Sequence, residues 1–264
     1  MGVLPNPTAN NYTYREVLNY MEEIHHQGIS RNTKQGKITA IKKYYDYLID
    51  AGIRDDHPCV TINMKGTSKK GIVFSDLFTM EELESLLERE ERFEHLRAKN
   101  KVVLSLLIYQ ALLPNEIIAL KLHHVDLEGG TIYIKGGRVL TERKLEIHPN
   151  QYELIEDYLN NRKRLLYKEK PNDYFILNFQ GNNDTTADNI IYLVETLKPR
   201  FQDRNLTTKA IRDSVIAYWL NERMIPLEQV QLIAGHRWIS STLRYRQESV
   251  KGQRAIVNKY HPLG

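Results

Sequence analysis

The chain has 264 residues, 41% hydrophobic and 27% charged, with a formal net charge of +4. That composition fits a globular protein large enough for two domains of unequal size, and no apolar run approaches the roughly 20 residues of a membrane span. The N-terminal stretch MGVLPNPTANN lacks the basic and apolar regions of a signal peptide, and the single cysteine, Cys59, can form no internal disulfide; a cytoplasmic location is expected, with Cys59 as a small buried hydrophobe.

Residues 13–27 place Val17, Leu18, Met21 and Ile24 at helical spacing, with Thr13 as cap and Gly28 as stop. Ser30 caps a second helix whose apolar face is Ile38, Ile41, Tyr45, Leu48 and Ile49. Its other face carries Arg31, Lys34, Lys37, Lys42 and Lys43, a surface suited to duplex phosphates and equally to solvent. The aperiodic stretch 57–71 ends in a Gly/Ser/Lys run with Lys69 and Lys70, and reads as a basic linker. The expected division is therefore a helical domain over 1–65, a linker over 66–75 and a larger domain over 76–264.

Thr79 and Glu82 form a capping box that opens the larger domain. Residues 101–122 are apolar enough for a buried helix, a turn and a second short helix. The segment HVDLEGGTIYIKGGRVLTERKLEI (124–147) alternates like a small antiparallel sheet with turns at Gly129-Gly130 and at 136–141. A helix over 150–168, an extended FILNF at 175–179 and further helices from about 185 complete a mainly α (α+β) fold with a three-stranded sheet.

Charge is unevenly placed. Residues 81–94 are strongly acidic, whereas 200–264 hold eleven Lys or Arg against five Asp or Glu. Such asymmetry suits a polyanionic partner. Within that basic region, GHRWISSTLRYR (235–246) gathers imidazole, indole, hydroxyl and guanidinium donors around Tyr245, as a held anion requires. The adjacent pairs His25-His26 and His123-His124 have no metal-ligand spacing, and no H-E-x-x-H or paired-cysteine motif is present.

The stretches ALLPNEIIALKLHHVDL, TIYIKGGRVLTERKLEI, LTTKAIRDSVIAYWL and AGHRWISSTLRYRQ occur in an order similar to that of the tyrosine recombinase (phage integrase) family. With the closing NKYHPLG the chain looks most like integrases of the Bacteroidetes type. The resemblance implies a core-binding domain ahead of the linker and a catalytic domain after it, the two closing around DNA as a clamp. It implies site-specific recombination or integration of double-stranded DNA through a 3′-phosphotyrosine. It further implies that no cofactor, metal or small-molecule substrate takes part, and that the working form is a homo-multimer, a tetramer on two duplexes.

Residue by residue, Tyr245 falls on the nucleophile and His236, nine positions earlier, on the phosphate-binding histidine. Arg212 falls on the arginine of the H-x-x-R box, with Lys209 in the histidine's place. Arg237, Arg244, Lys69, Lys70 and the basic helix face are the expected DNA contacts. The chain departs from the pattern twice: Leu113 stands where the first arginine belongs, leaving Glu116 without its usual cation, and Thr141 stands where a lysine precedes Glu142-Arg143. Lys101, Lys135, Arg138 and Lys209 are the candidates to fill these gaps. The alternative expectation is a recombinase-like DNA-binding protein that no longer cuts.

Overall fold

The structure, a computed structural model, describes residues 9–63, 71–165, 172–177 and 185–247. The chain divides into two compact units, Met1–Lys70 and Gly71–Gly264.

In the smaller unit, α1 (Tyr14–His26) and α2 (Arg31–Asp50) form where the apolar spacing demands. Glu16 reaches back to accept the Thr13 backbone N–H at 2.6 Å, and Ser30 Oγ accepts the Thr33 N–H at 3.2 Å, so each helix start has a partner for an otherwise orphaned donor. Val17, Ile38, Tyr45 and Leu48 bury against one another with Cys59 and Ile62 from the following segment. Burial pushes the Cys59 thiol pKa up, which keeps it protonated and inert. The basic face of α2 is less open than its sequence implies. Lys34 Nζ donates back to the His25 carbonyl at 3.3 Å and Lys42 Nζ to the Val60 carbonyl at 3.4 Å, whereas Arg31 and Lys43 are exposed. Lys69 and Lys70 lie outside the described residues, as does the 66–70 half of the expected linker; residues 71–75 belong to the larger unit, with Ile72 and Phe74 packed on its core.

The larger unit opens with α3 (Met80–Glu84), whose capping box is complete: Thr79 N–H to Glu82 at 2.8 Å and Glu82 N–H to Thr79 Oγ1 at 3.2 Å. Then α4 (Glu94–Tyr109) runs through the core with every residue from Val102 to Ile108 buried, as a helix apolar on all sides must be. Next come α5 (Pro114–Ile118) and an antiparallel sheet of β1 (Val125–Asp126), β2 (Thr131–Ile134) and β3 (Arg143–Glu146) in the order β1-β2-β3. The register pairs Ile132 with Leu145, and both face the core. Strand β2 ends at Ile134, so Lys135 belongs to the loop rather than the strand. Helix α6 (Tyr152–Leu165) starts two residues later than expected, after a 3-10 turn at Pro149–Gln151. Of FILNF, Phe175, Ile176 and Leu177 are buried and the last two residues lie outside the description. Four helices follow: α7 (Ala187–Glu195), α8 (Thr208–Asn221), α9 (Leu227–Ala234) and α10 (Ile239–Leu243).

Part of the C-terminal basic excess serves the fold. Arg204 pairs with Glu82 of α3 and also donates to the Leu77 carbonyl at 2.7 Å, and Arg200 donates to the Ser85 carbonyl at 2.8 Å. These two cations bind the acidic N-terminal edge of this unit, not an external anion. No helix among the described residues is long and apolar enough to cross a membrane.

Candidate active site

Four chain segments meet around Tyr245. The first is the start of α8, where Thr207 Oγ1 caps the Ala210 N–H at 2.9 Å. One turn in, Arg212 and Asp213 are buried while Lys209 stays exposed. The Arg212 guanidinium donates to the Ala111 carbonyl at the end of α4, and through Nη2 to the Ala234 carbonyl at the end of α9 at 2.6 Å. A buried cation in so dry a place is held by backbone dipoles on two sides, and burial pulls its pKa down.

The second segment is the exit of α9. Gly235 sits at φ +70°, in the left-handed region that favours glycine, and a Cβ there would come within 2.6 Å of Arg143 Nη1. Conformation and space both require glycine before His236. The His236 backbone N–H returns to the Gln231 carbonyl at 3.0 Å, which closes the turn and aims the imidazole inward. Its Nδ1 lies 2.8 Å from Thr242 Oγ1. Burial first, then the nearby Arg212, Arg143 and Arg244, bring the His236 pKa down to about 4, so the ring is neutral at physiological pH.

The third segment, α10, turns the chain back so that Tyr245 stacks on His236 with ring centroids 6.0 Å apart and planes 13° apart. Tyr245 is 5% exposed, and its hydroxyl donates to Asp213 Oδ1 at 2.7 Å. Burial, reinforced by that hydrogen bond and the charge of Asp213, raises the phenol's pKa well above its ordinary value. Lys209 Nζ meets the other carboxylate oxygen, Oδ2, at 3.0 Å. Asn221 Nδ2 fixes the Tyr245 carbonyl at 2.8 Å.

The fourth segment is the β2–β3 hairpin. Leu140 bridges His236 in antiparallel fashion, and Thr141 N–H donates to the Gly235 carbonyl at 3.0 Å. The loop carrying Lys135 and Arg138 is thus tethered to the histidine turn, with both side chains exposed. Arg237 Nη2 adds a long contact to the Gly137 carbonyl at 3.5 Å.

The expectation that Glu116 lacks a cation is wrong. Arg143 of β3 grips it through two parallel hydrogen bonds, Nη1 to Oε1 at 2.7 Å and Nη2 to Oε2 at 3.0 Å, with the side chains 4% and 11% exposed. Arg143 Nε donates in addition to the Ile233 carbonyl at 2.9 Å, joining α5, β3 and the end of α9 directly behind His236. Leu113 is half-buried and acts as the N-cap of α5, its N–H donating to Glu116 at 2.9 Å. Lys101 lies within α4, eight residues before its end, about 12 Å back along the helix axis. Lys209 contacts Asp213 rather than filling the place of the first arginine.

Arg143, Asp213 and Thr242 are the site residues that sequence reasoning did not single out. Asp213 had a local signal, since it stands four residues after Lys209 on one helix face. Arg143 had none beyond its place at the start of a strand.

The sequence model of the Phage integrase family matches residues 76–251, a span that contains every residue of this constellation. The chain belongs to that family. It is similar to the tyrosine recombinase XerD of Halalkalibacterium halodurans, 26% identical over 255 residues that make up 97% of this chain and 84% of the relative. A tyrosine recombinase XerC of Oceanobacillus iheyensis is 27% identical over 257 residues, 96% of this chain and 82% of that one. Among solved structures, the fold matches XerH recombinase in a post-cleavage complex with a palindromic difH substrate, at a TM-score of 0.73 and 22% identity over 94% of this chain and 70% of that chain. It also matches the Tn1549 transposon integrase in complex with a circular intermediate DNA, at a TM-score of 0.68 and 17% identity over 95% of this chain and 86% of that one. The integrase fold accounts for the four-segment convergence, which draws residues between 111 and 245 into one pocket.

Proposed function

We propose that the protein is a site-specific DNA recombinase in which Tyr245 cuts and rejoins DNA strands. The phenolic oxygen attacks a backbone phosphorus, the bond to the 5′-oxygen breaks, and a 3′-phosphotyrosine is left beside a free 5′-hydroxyl. Rejoining runs the same step backwards from a new 5′-hydroxyl, so the phosphodiester energy is kept and neither ATP nor a metal is needed.

Arg212 stabilises the charge that develops on the phosphorane. Two of its five N–H donors go to Ala111 and Ala234, which orients the fork while leaving donors for phosphate oxygens. Neutral His236 donates to a non-bridging oxygen through Nε2–H in the tautomer in which the Thr242 hydroxyl donates to Nδ1. Lys135 and Arg138, the exposed cations of the tethered hairpin loop, are the candidates for the role that Thr141 cannot perform. Arg143 holds the histidine turn in place and leaves the phosphate to Arg212.

The N-terminal unit is read as the core-binding domain, with Arg31, Lys37 and Lys43 on duplex phosphates together with Arg237 and Arg244. Lys34 and Lys42 join them once they release their own carbonyls. Lys69 and Lys70 contribute from the linker. The protein acts in the cytoplasm as a tetramer on two duplexes, since exchange between two sites requires four cuts. DNA-bound relatives of the same fold support DNA as the partner.

The observation that carries the reading is the convergence of Tyr245, His236 and Arg212 within the family match. A second reading, a DNA binder that no longer cuts, is favoured by Leu113 and Thr141 in the two cation positions. A plasmid carrying two copies of a duplex selected by the protein from a random pool decides between them. Recombinant circles formed in EDTA without ATP support the recombinase. Binding with neither nicking nor exchange supports the second reading.

A further inference from the structure

A free tyrosine phenol, with a pKa near 10, is ionised in about one molecule in a thousand at neutral pH, and burial and Asp213 hold the Tyr245 phenol higher still. The attack requires that this proton go somewhere. The hydroxyl already points it at one atom, Asp213 Oδ1, at 2.7 Å, and the other oxygen of that carboxylate is held at 3.0 Å by Lys209. His236, the other titratable side chain stacked on the tyrosine, is engaged at Nδ1 by Thr242 and presents its ring face to the phenol. Arg212 and Arg244, the cations near the ring, have no lone pair to offer. Lys209 Nζ is turned to the far oxygen of the same carboxylate and not to the phenol.

We infer that Asp213 is the general base of strand cleavage: its carboxylate takes the Tyr245 proton as the phenolic oxygen bonds to phosphorus, and returns it when the strand is rejoined. The inference rests on the recombinase reading above. In the cleavage step the Tyr245 Oη–P bond forms and the P–O5′ bond breaks. The phenolic proton moves to Asp213 Oδ1, and the departing 5′-oxygen takes one proton from water or a cationic side chain. Burial and the Asp213 charge hold the Tyr245 phenol well above its ordinary pKa, so full proton transfer ahead of attack is strongly unfavourable. The proton therefore moves in concert with attack, as the forming ester makes the phenol acidic. Lys209 is a positioning residue: it steers Oδ2 so that Oδ1 faces the hydroxyl. Its place in the family box thus supports the base instead of serving as one. In the resting site the Tyr245 hydroxyl is engaged by Asp213 and the residue is 5% exposed.

The test uses the full-length protein and a nicked duplex of a sequence it binds, from which the short 5′ fragment diffuses away. A second substrate carries a 5′-bridging sulfur at the scissile phosphate. A thiolate leaves without a proton, so that substrate reports on nucleophile activation alone. Asp213→Asn is expected to slow adduct formation by about 10²–10⁴-fold on both substrates. Its residual rate should climb about tenfold per pH unit between pH 6 and 9 as phenolate accumulates, while the parent rate stays flatter. Asp213→Ala should be partly restored by added formate, which supplies a carboxylate to the gap, and this second variant guards against loss through misfolding. Retained DNA affinity in both variants confirms that they are folded.

Several outcomes would overturn the inference. One is parent-like Asp213→Asn cleavage; another is a loss on the oxygen substrate alone, which would assign the carboxylate to the leaving group. A faster variant would mean that Asp213 restrains the hydroxyl rather than accepts its proton. Absence of any adduct in the parent protein would instead overturn the recombinase reading, and this inference with it.

Discussion

Arg143→Met is the substitution that most directly probes how the site is held together. Methionine keeps much of the aliphatic stem but removes the guanidinium from a pair whose side chains are 4% and 11% exposed. Glu116 would then keep one hydrogen bond, from the Leu113 N–H, with Arg212 as the remaining nearby cation, and the Ile233 carbonyl would lose its donor. Breaking a buried ion pair from one side costs about 3–5 kcal/mol, which for a unit of this size lowers the melting temperature by roughly 6–20 °C. Both tryptophans, Trp219 and Trp238, belong to the larger unit, so fluorescence-monitored urea unfolding reports on that unit alone. Glu116→Gln should cost less, because it removes the charge and retains the shape. The double variant should fall well short of the sum of the single ones, with a coupling of about 2 kcal/mol or more. A loss below about 1 kcal/mol for Arg143→Met, or strict additivity, would refute the claim that this pair staples α5, β3 and the histidine turn.

Leu113→Arg should raise the cleavage rate by less than about tenfold, short of the roughly 10²–10³ of a preorganised donor, because Arg143 already occupies the carboxylate that would orient it; a nicked-substrate time course measures this. His236 has a folded-state pKa of about 4 against an ordinary 6.5. The unfolded chain therefore binds its proton first as pH falls: the contribution is complete above about 6.5 and is lost between there and about 4. Urea midpoints across that window should record a loss of about 1–3 kcal/mol that His236→Asn removes, the range allowing for the ring's partial exposure. Duplex affinity should fall steeply with salt, and Lys43→Ala or Arg244→Ala should each reduce the logarithmic salt slope by about one. Arg200→Ala, whose side chain binds the Ser85 carbonyl, should leave that slope unchanged.

What the sequence made legible was local. The caps at Thr13, Ser30 and Thr79, the glycine turn at 129–130 and the apolar faces of α1, α2 and α4 follow from spacing and from hydrogen-bonding needs near in the chain. Tyr245 and His236 were joined correctly because nine residues with one short helix between them is still a local relation. Asp213 to Tyr245 spans 32 residues and Arg143 to Glu116 spans 27, and no periodicity links them. The family box places the cation of Glu116 three residues away at position 113, whereas in the structure its partner, Arg143, arrives on a strand. Counting charge also misled: Arg200 and Arg204 add to the basic total, yet both are spent on carbonyls and carboxylates of their own unit.

The most direct test of the central claim is to identify the residue that becomes attached to DNA. The protein is incubated in EDTA with the nicked duplex, digested with a protease, and the nucleotide-bearing peptide is sequenced by mass spectrometry. The expected result is one modified peptide with the 3′-phosphate on Tyr245, absent in Tyr245→Phe although that variant binds the same DNA with unchanged affinity. An adduct on Tyr218 or Tyr260, or one that persists in Tyr245→Phe, would contradict the assignment of Tyr245 as the nucleophile.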